Sequence, residues 1–279
     1  MVSRYKIRFD NLASKDQKAF IPYAMLGWPN RGQSFSMMAQ MIQSGASALE
    51  LGIAFSDPVA DGPIIQQANY QTIESGFTTE KAFDLIKQVR KIDNDIPIGI
   101  LVYFNIVLSY GIERFFNMAK ESGVDGVLIA DLPAENAMEV KPAAEEAGID
   151  LIFLISPVTP INRLETILEH ASGFLYLVSR LGVTGITERS VLEDMALKNL
   201  VNKVKEKSKL PMCAGFGISS ENDAKTMFEI GVDGVISASR IISIVQNAEV
   251  DEIAQLLNEY YSRMIATCGI TEQMANLCT

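Results

Sequence analysis

Residues that most often announce chemistry are scarce in this chain: of 279 residues only one is histidine (His170), one is tryptophan (Trp28) and three are cysteine. Cys213, Cys268 and Cys278 are too few and too irregularly spaced for a disulfide framework or a zinc site, so a reducing cytoplasm is the expected location. One distant histidine and no dense acidic cluster give no reason to expect a metal. Positive charge is also in deficit. Twenty-four Lys and Arg against 34 Asp and Glu leave a formal net charge of -10, which argues against a nucleic acid or an anionic membrane as partner. A phosphate group can still bind such a chain if backbone amides hold it. No uninterrupted apolar run approaches the ~18 residues of a membrane span. The opening MVSRYKIRFDNLASKDQ also lacks the apolar segment of a secretion signal, so a soluble, unexported protein is expected.

What the chain does have is alternation. Eight short apolar runs are strand candidates: 19–26, 47–53, 96–103, 125–131, 149–156, 173–179, 210–216 and 233–239. Between them apolar residues recur at three to four positions, as in Phe35, Met38, Ile42 and Phe83, Ile86, Val89, the spacing of helices. Near-continuous apolar strands separated by helices imply a parallel sheet covered by helices. A weak repeat, SGASALEL, SGVDGVLI, AGIDLIFL and IGVDGVIS, places Gly45, Gly123, Gly148 and Gly231 where helices stop just before strands. Eight such units in a length near the ~250 residues typical of the architecture predict an α/β fold, a (β/α)8 TIM barrel, as a single domain over residues 1–279. An extra N-terminal helix (about 3–14), a C-terminal helix (about 250–266) and an uninformative tail (about 267–279) complete the expectation. In such a barrel the site lies on the loops at the C-terminal ends of the strands.

One strand carries a charge. In LELGIAFSDPVADGP, residues 49–63, Glu50 alternates with Leu49, Leu51 and Ile53 and so shares a face with Ala48 and Gly52. Those small neighbours are expected to leave room for a ligand above the carboxylate. The strands hold almost no basic residue to pair with Glu50, and an isolated buried carboxyl has a raised pKa suited to acid/base work near neutrality. Asp57 and Asp61 follow in a segment rich in turn formers, where ordinary turn chemistry explains either residue.

Glycine and hydroxyl residues gather after three other strands, in SRLGVTGITERS, GFGISS and ISASR. In this architecture the loops after strands seven and eight commonly hold phosphate, and amides near Gly185, Gly217, Ala238 and Ser239 offer such a cradle without lysine. LGVTG is also suited to closing over a ligand, with Thr184 at its tip.

ALELGIAFSDPVADGPIIQ resembles the signature of the tryptophan synthase alpha chain family, LE-[IL]-G-x-P-FSDP-x-ADGP-x-IQ. LVYFN, SRLGVTG, AGFGIS and IPYAMLGWP follow in that family's order and spacing, so the resemblance covers nearly the whole chain. It implies cleavage of indole-3-glycerol phosphate to indole and glyceraldehyde 3-phosphate. It further implies a beta chain carrying pyridoxal phosphate as partner in an alpha2-beta2 tetramer, and no cofactor in this chain. By the resemblance Glu50 and Asp61 are catalytic, and Tyr23, Leu101, Leu128, Tyr176 and Thr184 line the substrate. Gly185, Phe216, Gly217, Ala238 and Ser239 hold the phosphate, and Asp57 faces the partner. Ala54 stands where the family usually has Pro, Trp28 where it usually has Asp, and Ala238 where it usually has Gly. A backbone amide survives the last change if φ is negative. Two other readings compete: another phosphosugar barrel, such as an isomerase or epimerase, and an inactive subunit that only activates the beta chain. His170, at a predicted helix end, suits the helix dipole. Cys213 and the Met37, Met38, Met41 group read as core, and Arg180 and Arg189 flank the glycine loop.

Overall fold

The computed structural model describes residues 2–179 and 191–270. Eight parallel strands close into a barrel in sequence order: β1 (Ala19–Met25), β2 (Leu49–Gly52), β3 (Ile98–Val102), β4 (Gly126–Ile129), β5 (Asp150–Ile155), β6 (Leu175–Val178), β7 (Met212–Gly215) and β8 (Gly234–Ser237), with β8 pairing back onto β1. Each lies inside its expected run. The runs overshoot because residues flanking a strand stay apolar to pack against helices after the ladder has ended. Gly45, Gly123, Gly148 and Gly231 all have positive φ, between 71° and 109°, as helix stops require.

Two packing layers follow from the strand period of two. Leu49, Leu51, Ile98, Ile100, Val127, Leu175 and Val235 point out and join the helices in the larger apolar cluster. Ala19, Ile21, Ala48, Leu128, Ile152, Tyr176, Cys213 and Ile236 belong to a second cluster inside the barrel. Met37, Met38 and Met41 are buried in the outer layer, so packing accounts for them.

The N-terminal helix Arg4–Ser14 closes the end of the barrel where the strands begin. Its Tyr5, Phe9 and Leu12 join Phe174 in the inner cluster, with Tyr5 and Phe174 ring centres 5.3 Å apart. The Tyr5 hydroxyl reaches Gly99, where an added Cβ would lie 2.5 Å from it. The same end holds Asp125, just before β4. It receives Arg4 and Arg90 at 2.7 Å each and the Ile98 amide at 2.8 Å. The helix Ile253–Thr267 lays Tyr260 and Tyr261 against Phe20 of β1. His170 is the last residue of the helix Ile161–His170, 3.2 Å from Lys141 Nζ, and Cys213 is fully buried in β7. No helix among the described residues is long and apolar enough to cross a membrane.

Candidate active site

At the other end of the barrel a partly open cavity, with about 520 Å³ of empty space including its mouth, is lined by Tyr23, Glu50, Asp61, Leu101, Tyr176, Phe216, Gly217, Ala238 and Ser239 among others. Glu50 points inward from β2, paired in register with Tyr23 of β1 and Gly99 of β3, and only 6 % of it is exposed. No cation reaches it among the described residues. Burial first, and the charge of Asp61 second, push its carboxyl up to about 8, so it holds its proton at neutrality.

Asp61 enters from the loop between β2 and the helix Pro63–Glu74. Burial raises it to about 6, against hydrogen bonds from Tyr103 and Asn69 that favour the charge. At neutral pH the pair is therefore one protonated and one ionised carboxyl, two opposite tools side by side. Asp57 is exposed and capped by its neighbour Ser56 at 2.6 Å, outside the cavity. Turn chemistry thus describes Asp57 structurally, whereas Asp61 is drawn into the site.

Two expectations need correction. Gly52 does not leave open room above Glu50: the Tyr23 side chain crosses it, with the hydroxyl 2.0 Å from where a Cβ would stand. Gly215 does the same for Tyr176 across the barrel, also at 2.0 Å. The glycines therefore seat two tyrosines that form the walls, and the ligand space lies between them. Leu128 is absent from the cavity lining: it is 2 % exposed in the inner cluster, beside its register partner Leu101 of β3, which reaches the cavity.

On the far wall, Phe216 adopts the left-handed region (φ 68°) between Gly215 and Gly217, a conformation that costs a non-glycine residue about 1–2 kcal/mol. The Ser179 hydroxyl lies within hydrogen-bond reach of both carbonyls there, Gly215 at 2.8 Å and Phe216 at 2.5 Å, and shares its single proton between them. The Phe216 ring meets Tyr176 edge-on, centroids 6.1 Å apart. Ala238 caps the helix Ser239–Asn247 with φ -121°, so the negative φ needed to keep an alanine there is present and the helix amides start at the cavity. Thr184, Gly185, Arg180 and Arg189 lie outside the described residues.

The profile of the tryptophan synthase alpha chain family matches residues 9–272. The chain belongs to that family. It is 40% identical over 259 residues to the tryptophan synthase alpha chain of Francisella tularensis, covering 93% of this chain and 95% of the relative. The tryptophan synthase subunit alpha structure from Legionella pneumophila superposes with a TM-score of 0.87 at 31% identity, over 97% of this chain and all of that one. A Pyrococcus furiosus chain from work on mutual activation of the tryptophan synthase α2β2 complex gives 0.81 at 33% identity, over 90% and 99%. Tryptophan synthase alpha chains cleave indole-3-glycerol phosphate, a lyase reaction in tryptophan biosynthesis.

Sequence reasoning missed three side chains at this end. Trp28, read from the sequence only as a departure from the family's Asp, is 2 % exposed and donates to Gln71 at 2.7 Å. Tyr103 lies within the LVYFN motif and its hydroxyl accepts from the Ala60 amide at 3.0 Å. Asn69 is buried on the helix Pro63–Glu74. An amide between Ala68 and Thr72 on the inward face of that helix was the available signal.

Proposed function

We propose that Glu50 and Asp61 carry the family's retro-aldol cleavage of indole-3-glycerol phosphate in this chain. The observation that carries the proposal is the pairing of a buried, cation-free Glu50 with an Asp61 held ionised by hydrogen bonds. Glu50 delivers its proton to the ring carbon that bears the glycerol chain, and positive charge develops on the ring nitrogen. Asp61 accepts the ring N–H and stabilises that charge. Glu50, now ionised, takes the proton of the adjacent hydroxyl. The carbonyl of glyceraldehyde 3-phosphate forms, and the electron pair of the broken carbon–carbon bond returns to the ring as indole.

Tyr23, Tyr176 and Leu101 bracket the ring, while amides at Phe216, Gly217, Ala238 and Ser239 face the phosphate, with Thr184 and Gly185 completing the site by resemblance. The ring itself is the electron sink, so these steps ask for no cofactor in this chain. Pyridoxal phosphate belongs to the beta chain in this reading.

A partner surface has physical support. Val59, Leu108, Met138, Val158 and Ile161 are exposed apolar residues on the segments that follow β2, β3, β4 and β5, around the same mouth, and Asp57 lies beside Val59. Such residues suit the docking of a beta chain, in an alpha2-beta2 assembly, over the exit through which indole leaves. The two cysteines among the described residues that are free, Cys213 and Cys268, suit a reducing cytoplasm.

An indole-release assay with and without a beta chain tests the reading. We expect indole from indole-3-glycerol phosphate in both, faster with the partner, and a bell-shaped kcat/KM. Its acid limb, near 6, follows Asp61, which must be ionised, and its alkaline limb, near 8, follows Glu50, which must be protonated. Turnover of another phosphosugar, or no indole in either case, overturns it.

A further inference from the structure

We propose that Asn69 is a positioning residue for Asp61: its side-chain amide fixes the carboxylate and keeps it ionised for the ring nitrogen. This rests on the role given to Asp61 above. Asn69 is 1 % exposed, and all three of its polar contacts are directional. Its Oδ1 accepts the Phe55 amide at 2.9 Å. Its Nδ2 donates to the Asp61 carboxylate at 3.2 Å and to the Ile65 carbonyl at 3.0 Å. The backbone contacts decide which end of the amide points where, because an N–H needs an acceptor and a carbonyl needs a donor. With Phe55 N–H on one side and Ile65 C=O on the other, a flipped amide would lose both. The donor is therefore held on Asp61 by the fold rather than by the carboxylate itself.

The same side chain ties three segments together. Phe55 belongs to the loop after β2, Asp61 to the end of that loop and Ile65 to the first turn of the helix Pro63–Glu74. Tyr103, just past β3, closes the other side: its ring stacks on Phe55 at 4.9 Å and its hydroxyl accepts from Ala60. Among the described residues the titratable groups acting with Asp61 are Glu50 on β2, Tyr23 on β1, Tyr103 after β3 and Tyr176 on β6. None is a cation. In that setting neutral donors, the Tyr103 hydroxyl first and the Asn69 amide second, are the available way to favour the charged form. Asn69 thus performs for Asp61 what arginines perform for Asp125 at the closed end, without neutralising it.

The test compares wild type, Asn69→Asp and Asp61→Asn as full chains with the beta chain present. Asn69→Asp keeps shape and the acceptor for Phe55 but replaces the donor by a second carboxyl. We expect the acid limb of kcat/KM to move up by about one pH unit or more with the alkaline limb unmoved. The loss is then roughly fivefold at pH 6, approaches tenfold below about pH 5 and shrinks as pH rises, while glyceraldehyde 3-phosphate affinity is retained. A loss of equal size at every pH, or an unmoved limb, overturns the proposal.

Should Asn69→Asp fail to fold, the side-chain NH2 resonance of Asn69 in the wild-type protein decides the same question by nuclear magnetic resonance. It should shift with a midpoint near that of Asp61, about 6, and lose the shift in Asp61→Asn. A flat resonance between pH 5 and 7 overturns the proposal. An Asp61→Asn variant with near-full turnover instead removes the role of Asp61 itself, a different failure from an inactive Asp61→Asn beside an unmoved limb in Asn69→Asp.

Discussion

Asp125 at the closed end of the barrel and Glu50 near the open end are both under a tenth exposed, on neighbouring parts of the same sheet, and their surroundings are opposite. Asp125 meets two arginines and a backbone amide, and Arg90 is itself saturated by the carbonyls of Gly123 and Ile96. Glu50 meets tyrosine, glycine and a second carboxylate, with no cation among the described residues. The first arrangement fixes charge so that β3, β4 and the N-terminal helix stay joined. The second leaves charge unfavourable, which makes the proton available for transfer. Burial alone therefore does not mark a functional acid. Burial without compensation is what the role proposed for Glu50 requires.

The comparison can be broken from either side. The largest effect is expected from Glu50→Gln, which keeps shape and removes the titrating proton: turnover of indole-3-glycerol phosphate should fall by roughly 10²- to 10⁴-fold, the scale of a lost general acid/base, with melting temperature held or raised. Asp125→Ala should do the reverse. Leaving Arg90 buried and unpaired should cost about 3–5 kcal/mol in denaturant unfolding, with turnover per folded molecule unchanged. If Asp125→Ala lost activity without losing stability, the division of labour between the two ends would be wrong. Arg4→Ala should be mildest, under about 1 kcal/mol, because Arg4 is 40% exposed and Arg90 still serves Asp125.

How much of this was legible in the sequence depends on what decides each feature. The eight strands and their helices were readable because a strand covered on both faces must be apolar along its length, and glycines mark the helix ends. Glu50 was readable for the same reason, as a charge that breaks such a run. Asp57 and Asp61 were not separable by local physics, since both sit among turn formers. The resemblance distinguished them, and the fold does so again by exposing one and burying the other.

Features that depend on which strand lies beside which were hidden. Gly52 reads as empty space until β1 is placed next to β2, where Tyr23 fills it. Leu128 points into the barrel as its neighbour Leu101 does, but only Leu101 lines the cavity. Asn69 looks like one polar residue in a helix until Phe55, Asp61 and Ile65 are brought around it by the turn between them.

The open end holds a carboxyl that stays protonated at neutrality because nothing compensates it. Its direct measurement is the titration of the Glu50 side-chain carboxyl by carbon-13 nuclear magnetic resonance in the unliganded protein, assigned by its disappearance in Glu50→Gln. The expected midpoint is near 8. A midpoint in the ordinary glutamate range, near 4.3, would contradict it.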